Sequence, residues 1–113
     1  MARKKNKLFV QKIVSAYAEE LSQKISIQGI FVFGSAARGQ MTGVSDVDLL
    51  VVSKDFKGMD FMKRLELLSR ASVKASRIAA LDSIGYTPEE FAILDTLDSP
   101  NIKQIKREGY FVA

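Results

Sequence analysis

Two short strings in this sequence can do chemistry together: Gly34-Ser35 and, after ten intervening residues, Asp46-Val47-Asp48. A glycine lets a phosphate approach the backbone closely, unpaired N–H groups at a helix start attract negative charge, and the serine adds a hydroxyl donor. Two aspartates separated by one residue fall on the same face of an extended segment. Side by side they repel each other unless a cation neutralises them. Mg²⁺ takes such oxygen ligands together with substrate phosphates, and two such ions can clamp the attacking and leaving oxygens of a displacement. Either string alone reads as a turn or a solvated strand end; their joint spacing points to metal-assisted chemistry on a phosphorylated ligand. Arg38 stands three residues past Ser35, one turn on, where its charge can steady phosphates. Pairing with a nearby acid, or closing the loop, accounts for it equally well.

Composition removes most competing chemistries. With no histidine and no cysteine, the chain has no imidazole or thiolate ligands, no disulfide framework and no Ser/His or Cys/His nucleophilic pair. Hard, oxygen-ligated metal chemistry remains. There is no Gly-x-x-x-x-Gly-Lys-Ser/Thr loop and no Gly-x-Gly-x-x-Gly fingerprint. No apolar run is long enough to span a bilayer and the basic start lacks a signal-peptide apolar block, so the expected setting is a reducing cytoplasm with no membrane partner. The net charge is +4, but Arg3, Lys4, Lys5, Lys7 and Lys12 meet no acid in the first dozen residues, leaving the rest nearly neutral. Residues 1–7 read as a basic tail, solvated in preference to nucleic-acid-binding, and 8–113 as a single domain.

The elements that must hold the two strings follow from periodicity. Val10, Ile13, Val14, Tyr17, Leu21 and Ile25 form a buried stripe on a helix over 8–25. After Gly29, Ile30-Phe31-Val32-Phe33 reads as a strand buried on both faces, with Tyr17, Phe31 and Phe33 as core residues. Ser35 to Arg38 suits a short helix start, Gly39 to Ser45 a loop, and Asp46 to Val52 a second strand. Asp60 opens an amphipathic helix through Phe61, Leu65, Leu68 and Val73, and a weaker strand over 77–84 contains Asp82. Thr87-Pro88-Glu89-Glu90 is a capping box with proline at the first helical position. Ser99-Pro100 repeats the pattern for a helix ending at Gly109, and Tyr110-Phe111-Val112 is extended.

The spacing of Gly34-Ser35 and Asp46-Val47-Asp48 resembles the signature of the nucleotidyltransferase superfamily typified by DNA polymerase beta. The strings Phe33-Gly34-Ser35-Ala36-Ala37-Arg38-Gly39 and Ser45-Asp46-Val47-Asp48-Leu49, with Asp82, Tyr86-Thr87-Pro88-Glu89-Glu90-Phe91 and Glu108-Gly109, look like those of its minimal members in bacteria and archaea. The resemblance implies a small α/β (α+β) domain with a mixed sheet flanked by helices. It also implies transfer of a nucleoside monophosphate from an NTP, by analogy ATP, to an acceptor hydroxyl, with Mg²⁺ as cofactor. Carried over, Asp46 and Asp48 are metal ligands, Asp82 is a third carboxylate that joins them in holding Mg²⁺ and helps position and activate the acceptor, and Gly34 and Ser35 hold the triphosphate, with Arg38 at a place where the family pattern often has an arginine.

The expected acceptor is a protein hydroxyl, because so short a chain has little room for a second substrate-holding domain. The minimal members resemble antitoxins that attach AMP to a helical HEPN-domain toxin, which makes such a protein the expected partner; a homo-oligomer is left open. The competing expectation is a binding module that masks its partner by contact alone. A weaker third is a nucleic-acid-directed transferase that uses the basic tail.

Overall fold

The computed structural model describes residues 2–39, 46–94 and 105–112, with side chains from Lys7 onward. Strands β1 (Gly29–Phe33), β2 (Val47–Val52), β3 (Leu81–Tyr86) and β4 (Tyr110–Phe111) form one mixed sheet in the order β3-β2-β1-β4. β2 lies inside the sheet and five of its six residues are buried, as its run of Val and Leu requires. It pairs antiparallel with β1 and parallel with β3. β4 runs antiparallel along the other side of β1.

Helix α1 (Ala2–Leu21) supplies five buried residues to the core on one face of the sheet, more than any other described helix. Its stripe of Val10, Ile13, Val14, Tyr17 and Leu21 is fully buried against Ile30, Val32, Val47, Leu49 and Val51. The helix begins earlier than the apolar periodicity does, because the stripe marks where a helix is buried and not where its backbone starts. It also ends before Ile25, which is buried in the turn that follows. Helices α3 (Phe61–Ala71) and α4 (Val73–Ser76) cover the rest of this face through Leu68, Ala71 and Ala75. Asp60 caps α3 as the sequence suggests, accepting from the Lys63 N–H at 2.8 Å.

On the opposite face the described residues form a second, smaller cluster. Phe31, Leu50 and Val52 pack there with Leu94 and the flanking Phe33, Ile84, Tyr86, Phe91 and Ile105. Phe91 belongs to α5 (Pro88–Ile93), and its ring meets Phe31 edge-on at 5.5 Å. The expected capping box is present: Thr87 Oγ1 accepts from the Glu90 N–H at 3.1 Å and the Thr87 N–H donates to Glu90 Oε1 at 2.7 Å.

Glu90 is also one end of a network that the sequence does not announce. Arg64, on α3, is only 5% exposed. Its Nη1 donates to Glu90 Oε1 at 2.7 Å and to the Gly85 carbonyl at 3.1 Å, Nη2 to the Phe56 carbonyl at 2.9 Å, and Nε to the Met59 carbonyl at 2.8 Å. The 3-10 turn Lys54–Phe56, α3, β3 and α5 therefore meet on one guanidinium.

The strand over 77–84 shifts to Leu81–Tyr86. Arg77 and Ile78 instead donate backbone hydrogen bonds to Lys74 and Ala75, continuing the turn of α4, and pairing starts at Leu81 opposite Val47. The expected Ser99-Pro100 helix start lies outside the described residues. Residues 105–108 are helical, the Gly109 N–H closes on the Ile105 carbonyl at 2.9 Å, and β4 follows as the expected extended segment. Among the described residues, no helix is long and apolar enough to cross a membrane.

Candidate active site

The mixed topology gathers four chain segments at one end of the sheet. β1 runs toward that end and β2, antiparallel to it, begins there. β3, parallel to β2, also begins there, and the chain enters β4 at the same place. Gly34 therefore follows the end of β1, Asp46 and Asp48 flank the start of β2, Asp82 is the second residue of β3, and Glu108 precedes β4.

Asp48 pairs with Phe33 on one side and with Asp82 on the other. Paired residues share a face, so both carboxylates lie on the same side of the sheet as the cluster that packs on α5. Adjacent strands are about 4.8 Å apart, which makes the two aspartates neighbours. Asp46 sits one residue before β2 and is exposed, as is Asp82; Asp48 is half-buried between them.

Gly34 explains how Asp48 fits. It opens the one-turn helix α2 (Gly34–Ala37) directly after β1 with φ +72°, a left-handed conformation. A β-carbon built there would overlap Asp48 Oδ2. The carboxylate thus lies against bare backbone, with Ser35 the next, partly exposed residue. Gly34→Ala should cost roughly 1–2 kcal/mol for the left-handed backbone alone, plus whatever displacement of Asp48 requires; a urea melt measures the sum.

Electrostatics mark Asp48 as the focus of the cluster. Burial pushes its carboxyl above the ordinary value, repulsion from Asp82 and then Asp46 pushes it further, and the Arg38 charge opposes them. Arg38 caps the end of α2, and its Nη1 lies 3.2 Å from Glu108 Oε2. The acid-pairing account of Arg38 is therefore realised, while its charge is also felt at Asp48. The sequence strings contain Glu108-Gly109, but nothing local to them gives Glu108 a role. Its signal is long-range, since the residue matters through the place where β4 joins the sheet.

The donor set fits a hard divalent cation: like-charged carboxylates around a half-buried one whose ionisation is opposed by its neighbours. Among the described residues no three acidic side chains close into a ready-made metal cage. Mg²⁺ is commonly held by one or two carboxylates with the remaining positions filled by water and substrate phosphates, which is the arrangement Asp48 and its neighbours could offer.

The nucleotidyltransferase domain family model matches residues 14–109, and the chain belongs to that family. Two Methanocaldococcus jannaschii proteins bearing the name "Putative protein adenylyltransferase", MJ0126 and MJ1215, are each 31% identical over 58 residues, 51% of this chain. The matched segment spans 57% and 65% of those relatives' own lengths. Among solved structures, a "putative nucleotidyltransferase" from Sulfolobus solfataricus superposes with a TM-score of 0.67 at 20% identity, over 98% of this chain and 86% of that one. A toxin–antitoxin structure with AMP-PNP superposes with a TM-score of 0.56 at 19% identity, over 91% and 72%. These two likenesses establish the fold, an α/β arrangement with a four-stranded mixed sheet.

Proposed function

We propose that the protein is a Mg²⁺-dependent nucleotidyltransferase that moves AMP from ATP to a hydroxyl on a protein partner, and that the partner is a HEPN-type toxin for which this chain is the antitoxin. The observation that carries the catalytic part is the pairing of Asp48 with Asp82 over the bare backbone of Gly34, in a chain of the nucleotidyltransferase family. The relatives' names favour a protein acceptor and an adenylyl group, and the toxin–antitoxin neighbour with AMP-PNP favours ATP and a toxin partner. The HEPN identity rests on the resemblance of the sequence strings alone.

Gly34 and Ser35 hold the triphosphate close to the backbone, and Arg38 contributes positive charge beside it. Asp46, Asp48 and Asp82 are the ligands available to Mg²⁺, which when bound neutralises phosphate charge and polarises the phosphorus centre. Asp82, exposed on β3, accepts the hydrogen bond of the acceptor hydroxyl and takes its proton as the new oxygen–phosphorus bond forms. The bond from the α-phosphorus to the bridging oxygen breaks and pyrophosphate leaves.

The test is calorimetric titration with ATP in the presence and absence of Mg²⁺, followed by incubation of the copurified partner with ATP labelled at the α-phosphate. Mg²⁺-dependent binding and label on the partner are expected. A partner that is bound but stays unlabelled would replace this reading with a contact-only antitoxin, and absence of ATP binding would remove the nucleotide site.

A further inference from the structure

The Gly34-Ser35 turn is braced from the far end of the chain. β4 pairs with β1 through Val32↔Tyr110 and Phe31↔Phe111, and continuing that register by two residues brings Glu108 level with Gly34. The approach is fixed by backbone. At Gly109, which ends the preceding helical turn, a β-carbon would collide with the Phe31 ring and the Val32 carbonyl oxygen. From this position Glu108 Oε2 reaches Arg38 Nη1 at 3.2 Å, with the two side chains 31% and 38% exposed. Arg38 is tied in turn to the site, because its backbone N–H donates to the Gly34 carbonyl at 3.2 Å.

We propose that Glu108 is a positioning residue, holding the Arg38 guanidinium across the mouth of the Gly34-Ser35 turn in the orientation that meets the phosphates of the incoming nucleotide. The inference rests on the function proposed above and extends it to a residue outside the signature strings. An arginine side chain has many rotamers, and a pairing formed before the ligand arrives removes that freedom in advance. Glu108 also counters a competing attraction. The Arg38 charge acts on Asp48, and the ion pair with Glu108 opposes its movement onto the carboxylates that a cation requires.

A half-exposed ion pair contributes little to stability, so the positioning role and a merely structural one separate cleanly. ATP is titrated with Mg²⁺ into wild type, Glu108→Gln, Glu108→Asp, Arg38→Ala and the Arg38→Ala/Glu108→Gln double variant, with a thermal melt of each. Glu108→Gln should bind ATP about tenfold more weakly while its Tm moves by no more than about two degrees. Glu108→Asp should recover part of the affinity, and Glu108→Gln should cause no further loss in the Arg38→Ala background. Wild-type affinity in Glu108→Gln, or losses that multiply in the double variant, would overturn the inference while leaving the nucleotide site standing. Absence of ATP binding by wild type overturns the proposed function and this inference together.

Discussion

Asp48→Asn is expected to lower nucleotidyl transfer by roughly a hundred- to a thousandfold and, in the same protein, to raise the Tm at neutral pH. The two effects have one cause. The Asp48 carboxyl is held above its ordinary value of 3.8 by burial and by Asp82 and Asp46. A carboxyl raised in the folded state adds stability only while protonated. That contribution is complete below the unfolded value and is lost as pH rises through the folded one. At pH 7 the ionised Asp48 therefore opposes folding, and the neutral, nearly isosteric amide relieves it. The stability gap between variant and wild type should close in melts below pH 3.8, where both side chains are uncharged, and Mg²⁺ should raise the Tm of wild type more than that of the variant. A variant less stable than wild type at pH 7 would show that the cluster is internally compensated and does not call for a cation.

Arg64→Met is expected to destabilise the fold by about 3 kcal/mol, a fall in Tm on the order of 15 degrees. The carbonyls of Phe56, Met59 and Gly85 and the Glu90 carboxylate lose the guanidinium at one stroke, although Phe56 keeps the Met59 N–H and Glu90 the Thr87 N–H. Methionine can replace some of the contact with the Phe61 ring, over which the guanidinium lies at 4.8 Å, but none of the hydrogen bonds. Glu90→Gln should cost less, because its side chain is 34% exposed and an amide can still serve the Thr87 cap. Burial alone would push the Glu90 carboxyl up, but hydrogen bonds from Arg64 and Thr87 and the Arg64 charge hold it below 4.5. Its contribution to stability is present above that value and lost as pH falls through the lowered one. Acid titration of folding in Glu90→Gln should lack that component.

The parts of the site that depend on local spacing were legible in the sequence. Gly34, Asp46 and Asp48 occupy a strand end and the next strand start, and one glycine with two alternate aspartates describes that junction without reference to the rest of the chain. Thr87, Pro88 and Glu90 were legible for the same reason, since a cap is made by its neighbours. Arg64 was not. It occupies a helical position beside exposed Lys63 and Leu65, and only the arrival of β3 and the 3-10 turn buries it. The start of β3 was misplaced because Ala79 and Ala80 fit a turn or a strand equally, and what decides is the pairing of Leu81 with Val47. Glu108 lies between these cases: its string was recognisable, but its contact with Arg38 depends on how β4 registers on β1.

The gathering of strand ends at one end of the sheet also bears on the order of folding. Gly34, Asp48, Asp82 and Glu108 come from well-separated parts of the chain, and Asp82 reaches its neighbour only through the parallel pairing of β2 with β3 across α3 and α4. Parallel strands joined by a long crossover carry the larger loop-closure entropy and pair slowly, whereas β1 and β2 can meet across a shorter connection. A chain leaving the ribosome could thus form the glycine turn and the first two aspartates early, yet lack the third carboxylate until the crossover closes. Under the function proposed above, transfer would then have to wait for this crossover, and for the still longer closure that brings β4 onto β1.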